Sequence, residues 1–118
     1  MSQRVLVTAA ASGIGREIAR AFYQGGAAVL VCDVDTSALS ELERELPGVR
    51  TATCDVGNRA DIERMMVAGV AALGALDVLV NNAGIAGPTA TVEQYDPAAW
   101  DTVMRVNLTS TFDVVSFT

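Results

Sequence analysis

The sequence predicts an α/β fold, a doubly wound parallel sheet with helices on both faces. Four short apolar runs alternate with segments of helical periodicity, which is the pattern of βαβ units. The runs are continuously apolar, as is typical of strands buried on both faces. A glycine-containing turn joins the first run to the first helix. With 118 residues, 51% of them hydrophobic, residues 1–118 are expected to form one domain around a substantial core.

The first half of the chain supplies two strands and two helices. Residues 5–8 form the first strand and residues 28–32 the second. Between them, residues 13–24 form a helix that stops at Gly25. A short helix begins after Asp35 and ends before Pro47. The apolar positions of these two helices are Ile14, Ile18, Ala21 and Phe22 in the first, and Leu39, Leu42 and Leu46 in the second.

The second half repeats this alternation. Residues 49–54 and 76–80 are the third and fourth strands. Asn58 is predicted to cap the helix between them, with Asp61 three residues later. Asp96 and Pro97 open a last helix, because proline is favoured in a first turn. The apolar faces are Ile62, Met65, Met66, Gly69, Val70 and Leu73 in the third helix, and Trp100, Val103, Met104, Leu108 and Phe112 in the last.

The expected strand order is 3-2-1-4, by analogy with doubly wound sheets of the Rossmann type, with right-handed crossovers. Strands five to seven of such a sheet are absent from these 118 residues. The outer edge of strand four and part of the last helix's apolar stripe are therefore expected to be uncovered. A ligand would bind at the carboxyl ends of strands one and four.

Composition excludes several classes of function. The net charge of −6 argues against nucleic acid as a partner. No apolar run is long enough to span a membrane, and the sequence favours a cytoplasmic protein. Cys32 and Cys54 are spaced neither as a metal site nor as a redox pair. We expect them to be small buried hydrophobic residues in a reducing compartment, and we expect no metal site.

The turn at residues 8–15 reads TAAASGIG and is a candidate phosphate site. Gly13 and Gly15 would let backbone N–H groups approach a pyrophosphate, and the helix N-terminus adds about half a positive charge. Ile14 between them is expected to pack inward. Alternatively, the glycines only permit close packing of the helix on the strand.

Asp33 ends the second strand, 18 residues after Gly15. An acid about 20 residues beyond such a turn can bind a ribose 2′-hydroxyl. A charged hydrogen bond of this kind contributes about 1.5–3 kcal/mol, whereas a 2′-phosphate would meet a carboxylate. The sequence therefore favours NAD over NADP, unless Asp33 is simply a surface aspartate at a strand end.

Four motifs occur in a characteristic order. They are TAAASGIG at 8–15, CDV at 54–56, NNAG at 81–84 and VNLTSTF at 106–112. Together they resemble the short-chain dehydrogenase/reductase family, of the type with a Thr-Gly-x-x-x-Gly-x-Gly turn. The chain resembles the N-terminal, cofactor-binding half of that family. The resemblance implies hydride transfer between a nicotinamide cofactor and an alcohol or ketone, in an enzyme that is commonly a homo-oligomer.

The resemblance also implies roles for individual residues. Asn107 matches the asparagine of the catalytic tetrad, where it holds a water of the proton relay and marks a local break in its helix. From its spacing to Trp100 and Met104, Asn107 is also expected to be a buried amide, which leaves a purely structural role open. Asn81 would brace the central strands through its amide. The implied cofactor contacts are Thr8, Ser12, Gly13, Ile14 and Gly15 at the pyrophosphate, Asp33 at the ribose, Asp55 and Val56 at the adenine, and Asn81, Ala83 and Gly84 beside the cofactor.

The sequence departs from the family at two places. The family usually carries a glycine at position 9, or in some members at position 10, and both positions are alanine here. Residues 1–118 contain no lysine, so no Tyr-x-x-x-Lys is present and this chain alone is expected to be inactive. A non-catalytic NAD-binding or interaction module is therefore an alternative. A methyltransferase would need an acidic residue where Thr8 stands, and NNAG has no place in it.

Overall fold

The computed structural model describes residues 2–84 and 89–117, and within them strands and helices alternate as predicted. The loop positions 85–88 lie outside the described residues. The elements are β1 Arg4–Thr8, α1 Gly13–Gln24, β2 Ala28–Asp33, α2 Thr36–Glu45, β3 Arg50–Thr53, α3 Arg59–Leu73, β4 Val78–Val80, a 3₁₀ turn Val92–Gln94, α4 Pro97–Met104, a π-helical segment Arg105–Thr109, and α5 Ser110–Ser116.

The four strands form one parallel sheet in the order β3-β2-β1-β4, which confirms the predicted topology. Thr8 at the end of β1 pairs with Cys32, and Asp33 at the end of β2 pairs with Thr53. The carboxyl ends of the strands therefore meet at one edge of the sheet. Strands β3 and β4 are shorter than predicted, because the flanking residues leave the ladder.

Helices cover both faces of the sheet and produce two hydrophobic clusters. Successive residues of a strand point to opposite faces. Val5 and Val7 accordingly pack with α1 and α2, whereas Leu6 packs with α3 and α5. Four of the five residues of β1, Val5 to Thr8, are buried completely, while the three residues of β4 are half-buried at the sheet edge. The well-covered centre of the sheet is thus the platform for its carboxyl edge.

The face by which α1 contacts the sheet differs from the prediction. Gly15 and Ala19 are buried and Ile18 is half-buried, but the side chain of Ile14 is 77% exposed. The inward packing expected for Ile14 is therefore wrong, and Ala21 is likewise exposed. Because Gly15 carries no side chain, α1 approaches the sheet most closely at that residue. With Gly15 facing the sheet, the side chain of its neighbour Ile14 points toward solvent.

Helices α2 and α3 follow the sequence closely. Oδ1 of Asn58 accepts a hydrogen bond from the Asp61 N–H at 3.0 Å, which confirms the predicted cap of α3. Oδ1 of Asp35 caps α2 in the same way, through the N–H of Ala38 at 3.0 Å. All three predicted leucines of α2's face are buried, and so is the predicted face of α3 apart from the half-buried Val70.

The last helix is continuous but changes from α to π geometry at Arg105–Thr109. Its C-terminal part is attached to α3, because Arg59 forms an ion pair with the buried Asp113 and lies over the ring of Phe117. The expected uncovered stripe is present, since Trp100, Met104, Leu108 and Phe112 are all exposed. None of the helices in residues 2–84 and 89–117 has the length and apolar character needed to cross a bilayer.

Candidate functional site

A cleft of about 220 Å³ lies at the carboxyl edge of the sheet, where the segments that follow all four strands converge. One wall is completed by Val106 of the π-helical segment. Several lining residues, namely Ala9, Val34, Cys54 and Val106, were not predicted from the sequence. Five predicted cofactor contacts line it: Asp33, Asp55, Val56, Ala83 and Gly84.

Gly13 and Gly15 are required for different reasons, the first for its backbone conformation and the second for the lack of space around it. Gly13 has a φ of 63° and open space where a side chain would stand, so its backbone is accessible at the start of α1. A Cβ on Gly15 would lie 2.4 Å from Nδ2 of Asn82 and 2.8 Å from the carbonyl oxygen of Ala9. Gly15 therefore allows α1 to begin directly against the turn. Ser12 is exposed at the N-cap, and its side chain makes no capping hydrogen bond.

Ala9 adopts the left-handed conformation, with a φ of 51°. This is one of the two positions at which the family usually has glycine. A left-handed alanine costs about 1–2 kcal/mol, so the surrounding contacts must hold it in place. Ala10, the other alanine, is completely buried and has no positive φ. The conformational strain of the glycine-poor turn is thus confined to Ala9.

The hydroxyl of Thr8 joins the end of β1 to the loop after β4. Its oxygen accepts the N–H of Asn82 at 3.0 Å and the N–H of Ala83 at 3.2 Å, in a completely buried position. An unsatisfied buried N–H costs about 1–3 kcal/mol. Thr8 therefore fixes the NNAG loop against the turn, which is a positioning role beneath the cleft.

The bracing amide belongs to Asn82, and the expectation for Asn81 is wrong. Nδ2 of Asn82 donates to the carbonyl of Ala9 at 3.1 Å, whereas Asn81 is exposed. Neighbouring side chains in an extended segment point in opposite directions, so only one of two adjacent asparagines can face β1. The motif identified the asparagine pair, but it did not decide which member contacts the strand.

Asp33 is held by the backbone on both carboxylate oxygens. Oδ2 accepts the N–H of Ala11 at 3.1 Å, and Oδ1 accepts the N–H of Asp35 at 3.0 Å. Asp33 is half-buried and lines the cleft. The carboxylate thus has a fixed orientation beside the turn, with further lone pairs available to a ligand.

A second carboxylate, Asp55, also lines the cleft. Its Oδ1 accepts the N–H of Gly57 at 2.8 Å, and its own N–H donates to Oδ2 of Asp61 at 3.1 Å. This N–H lowers the pKa of Asp61 below its ordinary value, with a further contribution from Arg64 and an opposing one from partial desolvation. None of the described residues that line the cleft is cationic, so Asp33 and Asp55 make the charge of this part of the lining negative.

Asn107 lies at the centre of the π-helical segment, which confirms the local break implied by the resemblance. The expectation that its amide is buried is wrong, because Asn107 is exposed. The π geometry widens the turn and displaces Asn107 from the periodicity set by Trp100 and Met104. Its Oδ1 lies 3.4 Å from the position of a Cβ built on Gly84, so the amide reaches the NNAG loop beside the cleft.

Hydroxyl groups stabilise the π-helical segment. Ser110 donates to the carbonyl of Val106, and Thr111 donates to the carbonyl of Asn107 at 3.4 Å. Such i−4 bonds compensate carbonyls whose helical hydrogen bonds are altered. Val106 of this segment lines the cleft, and the amide of Asn107 reaches Gly84 beside it. Neither tyrosine lines the cleft, so no proton donor of that type is placed there.

Comparison with known proteins gives the same assignment. The family described as short chain dehydrogenase matches residues 3–117. The 3beta-hydroxysteroid dehydrogenase 2 of Eggerthella lenta is 37% identical over 112 residues, which are 92% of this chain and 43% of that protein. The chain therefore spans less than half the length of this curated relative.

Solved structures agree in fold. A metagenomic short-chain oxidoreductase in complex with NADP superposes with a TM-score of 0.91 at 34% identity, covering 98% of this chain and 54% of the other. An actinorhodin polyketide ketoreductase variant with NADPH superposes with a TM-score of 0.92 at 38% identity, covering 98% and 46%. From the order of its motifs, the topology of its sheet and these matches, the chain belongs to the short-chain dehydrogenase/reductase family.

Proposed function

We propose that this chain forms the NAD-binding half of an oxidoreductase that interconverts an alcohol and a ketone, in which the cleft holds the adenosine of NAD. The observation that carries the proposal is the convergence of Asp33, Asp55, Val56 and Gly84 on one cleft beside the N-terminus of α1. The walls contributed by Val34, Val56 and Val106 are apolar, which suits a flat aromatic base. The carboxylates of Asp33 and Asp55 suit the ribose and the exocyclic amine, respectively.

The pyrophosphate would be bound by the turn. The N–H groups at the start of α1 are free of side-chain caps, and the helix dipole favours an anion at this end. Gly13 leaves the backbone open, and Gly15 brings the helix start close to β1. Thr8, Ser12 and Ile14 complete this segment, with the hydroxyl of Ser12 available as a donor. Asn81, Ala83 and Gly84 would border the middle of the cofactor.

The preference for NAD rests on Asp33. Its carboxylate is oriented by two backbone N–H groups and would accept a hydrogen bond from the ribose 2′-hydroxyl. A 2′-phosphate at that point would meet this negative charge, and none of the cleft-lining residues is cationic. The two solved structures above contain NADP and NADPH. They belong to the same family but do not support this preference.

The bound nicotinamide would supply hydride chemistry in the complete enzyme. This chain's contribution to the proton path is Asn107, whose amide lies beside Gly84 and would hold a water. Residues 1–118 contain no Tyr-x-x-x-Lys, so we expect no turnover from them alone. We also propose a small-molecule substrate, a homo-oligomeric assembly and a cytoplasmic location for the enzyme. The exposed apolar stripe of the last helix supports the homo-oligomer, because a partner subunit would cover it.

A non-catalytic nucleotide-binding module is the second candidate, and the absence of lysine from residues 1–118 favours it. The same cleft would then bind NAD without any downstream chemistry. The two candidates differ only in hydride transfer, so an assay of NADH formation separates them once the sequence downstream of residue 118, if any, is included.

Isothermal titration calorimetry tests the proposed specificity. Wild-type chain is titrated with NAD and with NADP, and we expect NAD to bind about tenfold to a hundredfold more tightly, given the free energy of a charged hydrogen bond. Asp33→Asn should weaken NAD binding and reduce this ratio to within about threefold. The matched control is Asp101→Asn on the exposed surface of α4, which should leave both affinities unchanged. Equal affinities for the two cofactors in the wild type would contradict the role of Asp33.

A further inference from the structure

An ion pair with a buried carboxylate fastens the last helix to α3. The guanidinium of Arg59, the first residue of α3, pairs with Asp113 of α5, whose side chain is only 8% exposed. The guanidinium also lies over the ring of Phe117, 5.0 Å from its centroid. A carboxylate this deeply buried depends on its cation, so loss of Arg59 would make Asp113 turn toward water and would loosen the helix.

The last helix is anchored by its C-terminal part. Among residues 97–116, only Ser110, Asp113 and Val114 are buried, and Asp113 is the charged one of the three. Val106, which lines the cleft, lies seven residues before Asp113, about 10 Å along the helix. The position of this cleft wall therefore depends on an attachment about two helical turns away.

The other partner of the ion pair adjoins a turn that lines the cleft. Arg59 directly follows this turn, which carries Asp55. The N–H of Asn58 donates to the carbonyl of Asp55 at 3.0 Å and closes the turn. The turn also approaches the last helix, because a Cβ built on Gly57 would lie 3.8 Å from Cδ of Arg105. The ion pair thus connects two segments that both contribute to the cleft, this turn and the π-helical segment.

We propose that Arg59 and Asp113 are positioning residues of the nucleotide cleft, whose ion pair sets the place of Val106 relative to Asp55 and thereby the affinity for NAD. The described lining of the cleft includes neither member of the pair. Without the pair, the last helix would no longer be held at one distance from the turn, and Val106 and Asn107 would move with it. This proposal rests on the proposed function, because NAD is the ligand whose affinity it concerns.

Isothermal titration calorimetry with NAD compares variants of the pair. Arg59→Met removes the positive charge from a side chain of similar length, and Asp113→Asn removes the negative charge at almost unchanged size. We expect each to weaken NAD binding about tenfold, a typical size for coupling between distinct sites. Arg59→Lys keeps the charge and should weaken binding by less than about threefold.

The double variant separates one shared effect from two independent ones. Residues that act through the same ion pair give losses that do not add. Arg59→Met combined with Asp113→Asn should therefore bind NAD about tenfold more weakly than the wild type, and not about a hundredfold. Leu73→Ala, at the far end of α3 and in the hydrophobic cluster of that face, is the control for lost stability. It should unfold at a lower urea concentration and still bind NAD within about twofold of the wild type.

Hydrogen exchange of the wild type adds a test that needs no variant. Coupling between binding and docking is reciprocal, so bound NAD should hold α5 more firmly against α3. Saturating NAD should slow amide exchange at residues 113–116, which are not among the cleft lining, by about threefold or more. Residues 70–73 of α3, at the opposite end of that helix, are the comparison and should change less.

Three results would overturn the positioning role. They are NAD affinities of folded Arg59→Met and Asp113→Asn within about twofold of the wild type, losses that add in the double variant, and unchanged exchange at residues 113–116 with saturating NAD. If the variants do not fold, the exchange measurement alone decides. If the wild type binds NAD and any of these results is obtained, only the positioning role is wrong. If the wild type binds no NAD, the proposed function is wrong and this proposal is rejected with it.

Discussion

The side-chain amide of Asn82 donates to the carbonyl oxygen of Ala9 at 3.1 Å, and Ala9 is the non-glycine residue of the described chain with a positive φ. This bond joins the loop after β4 to the turn after β1, directly under the cleft. Ala9 therefore keeps the left-handed backbone conformation that glycine usually adopts, although it carries a side chain. Since Thr8 holds the same loop, two adjacent residues of β1's end define the geometry of the site.

Replacing Ala9 by glycine should stabilise the protein. Relief of the left-handed conformation stabilises the folded chain by about 1–2 kcal/mol. The greater flexibility of glycine in the unfolded chain offsets part of this, so we expect the free energy of unfolding to rise by about 1 kcal/mol. Urea denaturation measures it. Ala10→Gly is the matched control, which should instead cost about 1 kcal/mol because Ala10 is buried without positive φ. A loss of stability in Ala9→Gly would show that the turn is not strained.

Gly15→Ala should disrupt both the fold of the turn and nucleotide binding. The new methyl group would overlap Nδ2 of Asn82 and backbone atoms of Ala9 and Ala10, and the backbone atoms cannot move without shifting the turn or α1. We expect a cost of about 1–3 kcal/mol and loss of detectable NAD binding. Gly25→Ala is the control, since its Cβ would meet its nearest atom at 3.4 Å and its φ is −78°. Undiminished NAD binding by Gly15→Ala would contradict the close approach of α1.

Thr8→Val removes a hydroxyl oxygen that accepts two buried N–H groups while keeping the shape of the side chain. The N–H groups of Asn82 and Ala83 would lose this acceptor, and we expect a cost of about 2–4 kcal/mol with weaker NAD binding. Thr8→Ser keeps the hydroxyl and should lose less than half as much. The free energy of unfolding in urea compares the two variants. A loss in Thr8→Val that is no larger than the loss in Thr8→Ser would contradict the predicted importance of the hydroxyl.

Acid should destabilise the fold through two surface carboxylates. The N–H of Asp55 lowers the pKa of Asp61, and the side chain and N–H of Arg4 lower that of Asp77, in each case below an ordinary value of 3.8. A carboxyl whose pKa is lower in the folded chain stabilises the fold above its unfolded pKa. This contribution is lost as the pH falls below about 3.8 and through the folded value.

Urea denaturation between about pH 5 and pH 3 measures this dependence. Asp61→Asn and Asp77→Asn should each reduce the fall in the free energy of unfolding as the pH is lowered. Asp101→Asn, on the exposed surface of α4, should leave this pH dependence unchanged. If the free energy of unfolding falls equally with decreasing pH in the wild type and in both variants, Asp61 and Asp77 are not the groups responsible.

Much of the fold was predictable because its signals are local. The apolar runs gave the strands, Asn58 and Asp35 gave the helix starts, and the alternation of elements gave the order of the sheet. Periodicity could not place Ile14, because the rotation of α1 depends on how closely Gly15 approaches the turn. It also failed at Asn107, since the π-helical segment changes the spacing on which the expectation of burial depended.

The site was predictable in its motifs and less so in its contacts. Asp33, Asp55, Val56 and Gly84 converge as expected because parallel strands end at one edge of the sheet. The choice between Asn81 and Asn82 depends on which way each side chain points after β4, and adjacent identical residues carry no such signal.

Amide chemical shifts of isotopically labelled protein, followed during a titration with NAD, report where the nucleotide binds. We expect saturable changes concentrated at Gly13, Gly15, Asp55, Gly84 and Val106, which line the cleft or begin α1. The proposed binding site would be contradicted by saturable changes centred elsewhere, such as on the exposed stripe of the last helix. It would also be contradicted by the absence of changes at millimolar NAD in a folded sample.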